Sequence, residues 1–409
     1  LKRNGIDPEW YSRQVQAAKD TPRYIRFNPC ILDSNGERYS YTSDSSFFEQ
    51  ERNRFEDEVD TKLKSVPWVP NVYSLSQKVP IAKTNSFQNG SVYGIDAASV
   101  FIVNELDPKG GETVLDLCCA PGAKFCLIAD KMEKQGRLFG IDASQQRIES
   151  CASVLRKYKT CYPTQYKEGE VVDWDCRLIR ADGTTWNNGS TDIGLSIWET
   201  RDELIFSHKS MNQDPKRRKL SDGSKGLHHS GEKLLPQKRK INKSMRKRLE
   251  KARIERQAEE TPRFFDKVLV DAECTHDGSI RHLSKYEDNG LWGKESFESR
   301  FLYDDDEGRT APLDKLQQSL LLNGFRLLRP GGTLIYSTCS FCSSQNEMVV
   351  SWLVQQSPEV LQGFRATVEN INLLENTPAV ESTLLPGCVR FEPVKSHTSG
   401  LFVAKIRKV

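Results

Sequence analysis

Long hydrophobic runs are missing from this 409-residue sequence. No stretch approaches the roughly 18 consecutive apolar residues that a membrane-spanning helix needs, which argues against one. Residues 1–20 contain no apolar block, so no secretory signal is visible there. The chain begins at Leu1 rather than Met, as a fragment or a processed chain would. Histidine is scarce, at 6, and the six share no spacing. The cysteines number 11, at positions 30, 118, 119, 126, 151, 161, 176, 274, 339, 342 and 388. An odd number spread over the whole length is no disulfide scaffold and fits a reducing compartment. Cys339-x-x-Cys342 has no second pair and no histidine at finger-like spacing, so no metal site is expected.

What is present suits a folded protein of two or three domains, or one large domain with additions. Charged residues make up 28% and hydrophobic ones 37%, enough to build a core. The net charge of +3 is unevenly spread. Residues 214–257 hold 16 Lys and Arg against 5 Asp and Glu, a local +11, which leaves −8 on the remainder. Positive charge is therefore a local device.

Residues 1–90 read as a mixed α/β piece. Tyr24–Phe27 has strand composition, Phe47–Leu63 is acidic and helical, and the prolines at 67, 70 and 80 break 68–81 into loop with short strands. From Gly111 the pattern alternates. Strands are expected at Thr113–Leu117, Arg137–Asp142, Arg177–Arg180, Phe265–Val270 and Thr333–Tyr336, with helices over 123–133, 144–159, 312–328 and 343–356. Phe402–Ile406 closes the chain as a last strand. Such alternation implies a parallel sheet with helices on both faces. It stops at Asp182 and resumes at Asp266, so 183–262 reads as a basic, partly disordered insertion, too long for an ordinary loop. Its segment 237–257 suits RNA contact, nuclear import or both. That points to the nucleus or nucleolus.

Ligands of such a sheet bind beyond the carboxyl ends of the strands. Asp116, Cys118 and Cys119, Asp142, Asp182, Asp271 with Cys274, and Cys339 all fall there. Asp142 ends the second strand about 20 residues after a glycine turn, the position from which a carboxylate accepts hydrogen bonds from ribose hydroxyls. The turn, Cys119-Ala-Pro-Gly-Ala-Lys124, has neither G-x-G-x-x-G spacing nor the P-loop Gly-Lys-Ser/Thr. A nucleoside cofactor without pyrophosphate fits, and S-adenosylmethionine is the natural candidate. Cys274 and Cys339 sit at adjacent strand ends, and spacing does not say which of them attacks. The side chains of Cys118, Cys119, Cys126, Cys151 and Cys176 are expected to pack as small hydrophobes. His276 is read as a turn residue near Cys274.

Asp116-Leu-Cys-Cys-Ala-Pro-Gly-Ala-Lys124, Asp271-Ala-Glu-Cys274 and Ser337-Thr-Cys-Ser340 resemble the signature blocks of the Sun-type (Nol/Nop/Sun) RNA cytosine-5 methyltransferases. Tyr93–Ser99, Arg329–Ser340 and Gly400–Lys405 resemble further blocks of that family. The likeness covers roughly residues 66–182 and 263–409, and 20–30 more loosely. It implies a class-I S-adenosylmethionine-dependent methyltransferase fold, Rossmann-like with a mostly parallel sheet, over 91–409. A small N-terminal RNA-contacting α/β extension would occupy 1–90. It also implies S-adenosylmethionine as cofactor, tRNA or rRNA as partner, Cys339 as nucleophile, Cys274 in release, and Asp271 and Lys124 at the target base. The expected cofactor-binding residues are Cys118, Cys119, Ala120, Pro121, Gly122, Ala123, Lys124, Asp142, Arg147, Asp182 and Asp271. The family usually has proline at the position of Glu273. A carboxylate there, if aimed at Cys274, raises that thiol's pKa. The alternative is therefore a non-catalytic RNA-binding or assembly factor that retains the fold.

Overall fold

The computed structural model describes residues 6–29, 45–160, 174–187, 196–199, 264–279 and 313–409, with 45–47 and 196–199 by backbone alone. The basic run expected within 183–262 lies outside the described residues.

The N-terminal part starts with helix α1 (Pro8–Lys19). Pro8 occupies its first turn, and the Asp7 carboxylate accepts the N–H groups of Glu9 at 3.4 Å and Trp10 at 3.0 Å. Strands β1 (Arg23–Phe27), β2 (Lys64–Ser65), β3 (Val72–Leu75) and β4 (Val92–Gly94) form an antiparallel sheet in the order β2-β3-β1-β4. Helix α2 (Ser45–Val59) packs on it through Phe48 and Phe55, against Ile25 and Phe27. The short helix α3 (Asn85–Gln88) precedes β4. Arg26 forms a buried ion pair with Asp130 of the following domain and lies 4.0 Å over the Tyr93 ring, tying the small sheet down.

The main sheet has ten strands among the described residues. Nine run in the order β12-β13-β14-β10-β9-β5-β6-β7-β8, and β11 pairs with β14. They are β5 (Thr113–Asp116), β6 (Gly136–Asp142), β7 (Trp174–Arg180), β8 (Ser196–Glu199), β9 (Phe265–Asp271), β10 (Leu328–Thr338), β11 (Ala366–Glu369), β12 (Val380–Glu381), β13 (Val389–Phe391) and β14 (Leu401–Lys408). Strands β10, β9, β5, β6 and β7 are parallel, while β14 and β8 run antiparallel on either side.

Successive residues face opposite sides of a strand. Val114, Leu138, Leu269 and Ile335 join one core with helices α4 (Ala97–Leu106), α5 (Ala123–Lys131) and α6 (Gln145–Lys157). Leu115, Phe139, Val268 and Leu334 join the other core with α7 (Leu313–Leu327) and α8 (Glu347–Val354). Both faces are covered, which is why these strands read as continuous apolar runs. The fold expected from the alternation is present.

Several details differ from the sequence reading. The turn Arg329-Pro-Gly-Gly332 ends α7 but is drawn into β10, whose register against β9 shifts between Leu328 and Thr333. Gly331 takes φ +71°, and its carbonyl accepts from Arg407 at 2.9 Å, so the turn is held as a bulge. The helix expected over 343–356 is broken at Asn346, where a 3-10 turn meets α8. Asn346 is buried and uses its side chain elsewhere, accepting from Thr338 Oγ1 at 2.5 Å and donating to the Ser340 carbonyl at 2.8 Å. Strand β8 lies inside the stretch read as an insertion.

Glu56 anchors the end of α2, accepting from Arg52 Nε (2.9 Å), Lys62 Nζ (2.6 Å) and the Leu63 N–H (2.9 Å). Burial alone would raise its pKa, but these bonds outweigh it and hold the carboxyl at about 2. A carboxyl depressed on folding adds stability above its unfolded pKa and loses it as pH falls through the folded value. Glu56→Gln is therefore expected to cost about 1–3 kcal/mol at pH 7, a gap that closes toward pH 2. Urea unfolding of both proteins across that range measures it.

Candidate active site

The chain leaves β5 toward β6 on one side and returns through β9 on the other. The loops after β5 and β9 therefore part, and the crevice opens at the carboxyl ends of these strands. A cavity of about 460 Å³ lies there, with Pro121, Lys124, Arg147, Asp271, His276 and Cys339 in its wall. This volume suits a small cofactor or one base.

The turn after β5 is set by Gly122, the N-cap of α5, at φ +106°. An L side chain is strained in that conformation, and a Cβ there would also stand 2.8 Å from Cys151 Sγ. Cys119 is buried, and its N–H donates to the Ile141 carbonyl at 2.9 Å. Cys118 is half-buried against the second core. Burial pushes both thiols up, with Asp116 adding at Cys118 and Cys151 at Cys119. These two cysteines are thus held neutral. Cys126, Cys151 and Cys176 are core residues, as their packing role required.

Arg147 ties the turn to β6. Its guanidinium donates to the Ala120 carbonyl at 3.0 Å and lies 3.2 Å from Asp142 Oδ2, while Asp142 Oδ1 accepts from Ser144 N–H at 3.0 Å. Deeper in, Lys124 Nζ lies 2.7 Å from Asp271 Oδ2, and Ser337 Oγ donates to Asp271 Oδ1 at 2.7 Å. Burial alone would lower the Lys124 pKa, but Asp271 outweighs it and the pKa is raised. Asp116 is pushed up to about 7, first by burial and then by the Asp271 charge, with Lys124 opposing. Perturbation of this kind, in a cleft, is characteristic of functional sites.

The two thiols meet. Cys274 Sγ lies 3.3 Å from Cys339 Sγ, and His276 Nδ1 lies 3.0 Å from Cys339 Sγ and 3.7 Å from Cys274 Sγ. Cys339 is half-buried on the cavity wall, whereas Cys274 is buried and its thiol is pushed well up by burial and by Cys339. The hydrogen bond with Cys274 raises the His276 pKa, with burial opposing. Glu273 is exposed, and its charge bears on His276. Its carbonyl accepts from Gln317 Nε2 at 2.8 Å, which steadies the backbone where the family has proline.

Sequence reasoning missed three parts of this arrangement. His276 does occupy a turn, at φ +56°, but its ring reaches both sulfurs. The Asp277 carboxylate accepts from Ser340 Oγ (2.7 Å) and Phe341 N–H (2.8 Å), fixing the Cys339 loop. Gly278 donates to the Cys339 carbonyl at 2.8 Å and accepts from Gly400 N–H at 2.9 Å. The Asp277-Gly278 pair was the available signal, since it marks a tight turn after Cys274. Asp182 is not brought to the cavity. It is exposed, and its carboxylate closes its own turn by accepting from Thr184 N–H (2.9 Å) and Oγ1 (2.7 Å).

The fold and this crevice define a class-I S-adenosylmethionine-dependent methyltransferase. A family model described as 16S rRNA methyltransferase RsmB/F matches residues 103–175 and 293–407. The chain is 24% identical over 355 residues to a tRNA (cytosine(49)-C(5))-methyltransferase of Pyrococcus abyssi, covering 85% of this chain and 80% of that one. It is 25% identical over 374 residues to the rRNA (cytosine-C(5))-methyltransferase NOP2C of Arabidopsis thaliana, covering 82% and 57%. It spans 51% of a probable ribosomal RNA small subunit methyltransferase B of Bacillus subtilis, so several relatives are much longer than the matched part. The crystal structure of PH0851 superposes with a TM-score of 0.59 at 19% identity, over 98% of this chain and 63% of that one. That of NSun6 from Pyrococcus horikoshii with SFG does so at 0.55 and 14%, over 98% of each. Over these segments the chain is similar to the RsmB/F methyltransferases and to relatives named as tRNA and rRNA cytosine-5 methyltransferases.

The residues present fit S-adenosylmethionine. Asp142 is a buried carboxylate tied through Arg147 to the glycine turn, an acceptor suited to ribose hydroxyls and not to pyrophosphate. We assign Asp142 to the ribose hydroxyls. Asp142→Ala is then expected to weaken cofactor binding by about 1–3 kcal/mol, roughly 5- to 150-fold. Calorimetric titration with S-adenosylmethionine measures this, and unchanged affinity would put the ribose elsewhere.

Proposed function

We propose that this protein methylates carbon 5 of cytosine in RNA through a covalent adduct with Cys339. The observation that carries the reading is the pair of thiols from adjacent strand ends, 3.3 Å apart, with one member on the cavity wall. Methylation of an amine or hydroxyl needs no thiol. Carbon 5 of cytosine is a poor nucleophile until a thiolate adds to carbon 6.

S-adenosylmethionine, when bound, supplies a methyl group activated by a sulfonium. The protein's residues do the rest. Cys339 is the side chain presented for addition. His276 Nδ1, 3.0 Å away, is positioned to accept the thiol proton. Lys124 and Asp271 stand on the same wall, where they hold the ring and its developing charge. Cys274, 3.3 Å from Cys339, is assigned to release of the methylated base. The target base must be unstacked to reach this wall, and RNA loops offer such bases at low cost.

Relatives named for tRNA and for rRNA both resemble this chain, so the substrate is assigned to structured RNA of these two kinds. The small N-terminal sheet is assigned to RNA contact. The basic run at 237–257 is assigned to RNA contact or nuclear import, and the protein to the nucleus or nucleolus. Bisulfite sequencing of RNA from cells lacking the protein tests the function directly. One tRNA or rRNA cytosine should lose its methyl mark. Cofactor binding without any such loss would identify a non-catalytic RNA-binding factor.

The thiols are assigned by two variants with different outcomes. Cys339→Ala is expected to abolish methyl transfer and to form no adduct. Cys274→Ala is expected to trap the protein on RNA as a denaturant-stable species, because addition proceeds and elimination stalls. Denaturing gels with labelled RNA read both. The opposite pattern would reverse the assignment, and full activity in both variants would remove thiol chemistry.

Deleting residues 237–257 is expected to flatten the dependence of log affinity on log salt, since each Lys or Arg that neutralises a phosphate releases counterions. The methylated cytosine should stay the same. An unchanged slope would leave the segment as a targeting signal, visible as nuclear accumulation of a fused reporter.

A further inference from the structure

Cys274 Sγ, His276 Nδ1 and Cys339 Sγ all lie within 4.8 Å of one another. Among the described residues this is the one group of three His, Cys, Asp or Glu side chains so gathered. The spacing that failed to suggest a metal site paired Cys339 with Cys342. The structure separates those two, since Cys342 is buried with Tyr11 and Phe341 under α1. Cys339 instead joins Cys274-x-His276, which lies 65 residues earlier in the chain.

Two sulfurs and an imidazole make a soft-to-borderline ligand set. Such sets select zinc-class ions, whereas calcium and magnesium require oxygen ligands. Bonds of about 2.3 Å to sulfur and 2.0–2.1 Å to nitrogen, at tetrahedral angles, set the ligand atoms roughly 3.5–3.8 Å apart. One sulfur–nitrogen distance, 3.7 Å, already meets this. The sulfur–sulfur distance of 3.3 Å and the other sulfur–nitrogen distance of 3.0 Å each need to open by about half an ångström. Side-chain torsions can supply that, because the backbone is already fixed. Ala272 N–H donates to Ser337 O at 2.9 Å, and Gly278 N–H to Cys339 O at 2.8 Å, clamping the two loops on either side of the ligands. His276 and Cys339 also line the cavity, so a fourth coordination position faces open space.

We propose that Cys274, His276 and Cys339 form a binding site for a zinc-class divalent cation, with the fourth position left to water. Binding displaces one proton from each thiol, so two protons leave per ion and the Cys339 sulfur becomes a metal ligand. The inhibitory half of the proposal rests on the reading of Cys339 as nucleophile: a sulfur held by the ion cannot add to a base. Methyl transfer then depends on free zinc and is restored by a chelator. The binding half stands without that reading.

The test uses the full chain, reduced and kept anaerobic, titrated with Co²⁺ as a spectroscopic stand-in and then with Zn²⁺. One ion per chain is expected, with a thiolate-to-cobalt charge-transfer band that Zn²⁺ abolishes and about two protons released per ion. His276→Gln should weaken Zn²⁺ binding at least tenfold, and a Cys274→Ala, Cys339→Ala double variant should lose the band. Thermal melts of the metal-free variants separate loss of ligand from loss of fold. Mass-spectrometric mapping gives a second readout on the unmutated chain: Zn²⁺ should protect Cys274 and Cys339 from alkylation. No charge-transfer band, or a band that persists in the double variant, would overturn the proposal. So would loss of both alkylation sites without metal and its reversal by reductant, which would mean a disulfide instead. If Co²⁺ binds as expected while Cys339→Ala still methylates RNA, the site stands and the catalytic reading fails.

Discussion

The pairing of β9 with β10 brings together the two loops that carry the thiols of the active site. In that parallel ladder Asp271 lies opposite Ser337, and Val270 opposite Tyr336. The Ser337 hydroxyl donates to the Asp271 carboxylate, and Ala272 N–H continues the ladder one step past the last pair. The chains then diverge together, and Cys274 and Cys339 are the first thiols each reaches. A slip of one residue would turn Asp271 into one core and an apolar neighbour into the crevice. The packing of Val268, Val270, Leu334 and Tyr336 in one core, and of Leu269 and Ile335 in the other, prevents it, so the chemistry is positioned by that packing.

This frame also explains the charge pattern. Asp116, at the end of β5, and Asp271, at the end of the adjacent β9, are forced near each other by parallel alignment. In a buried setting two like charges cannot both ionise cheaply. Lys124 enters from the first turn of α5 and pairs with Asp271, which leaves Asp116 as the carboxyl pushed up to about 7. A cationic side chain at this position thus settles which of the two carboxylates keeps its charge.

The strands that carry the site were legible in the sequence because buried parallel strands are short, apolar and followed by polar residues. Their bounds were close, and Lys124, Asp271 and Cys339 of the cavity wall, with the buried Cys274 beside them, were named before any geometry. Other parts were hidden for physical reasons. Helix α4, Ala97–Leu106, is buried on nearly all sides and so lacks the one-sided period that marks a helix. Strands β11 to β13 are only two to four residues long; β11 and β13 exist because β14 offers an edge to extend, and β12 adds to β13. Asp182 has the right place in the chain, but its carboxylate is taken by Thr184 two residues on. The reach of the His276 ring depends on a left-handed backbone angle and on two loops from distant strands, and no local pattern encodes it.

Helix α1 has a part beyond decorating the domain. Tyr11 Oη donates to the Asp277 carbonyl at 3.1 Å, and the Trp10 ring meets Phe341 edge-on at 5.0 Å, on either side of the loop that carries Cys339. From the other end of the sequence, Gly400 backs the same loop, where it bonds Gly278. Cys339 is thus held between segments nearly 390 positions apart in the chain. Contacts of such long sequence separation form late, because the entropy of closing the intervening chain must be met first. During synthesis the cofactor turn and its helix are complete long before these supports exist. A ribosome-bound chain that has emerged only through β9 holds the cofactor turn without the β10 thiol. The loops that carry Cys274 and Cys339 gain their last support only once Gly400 has emerged.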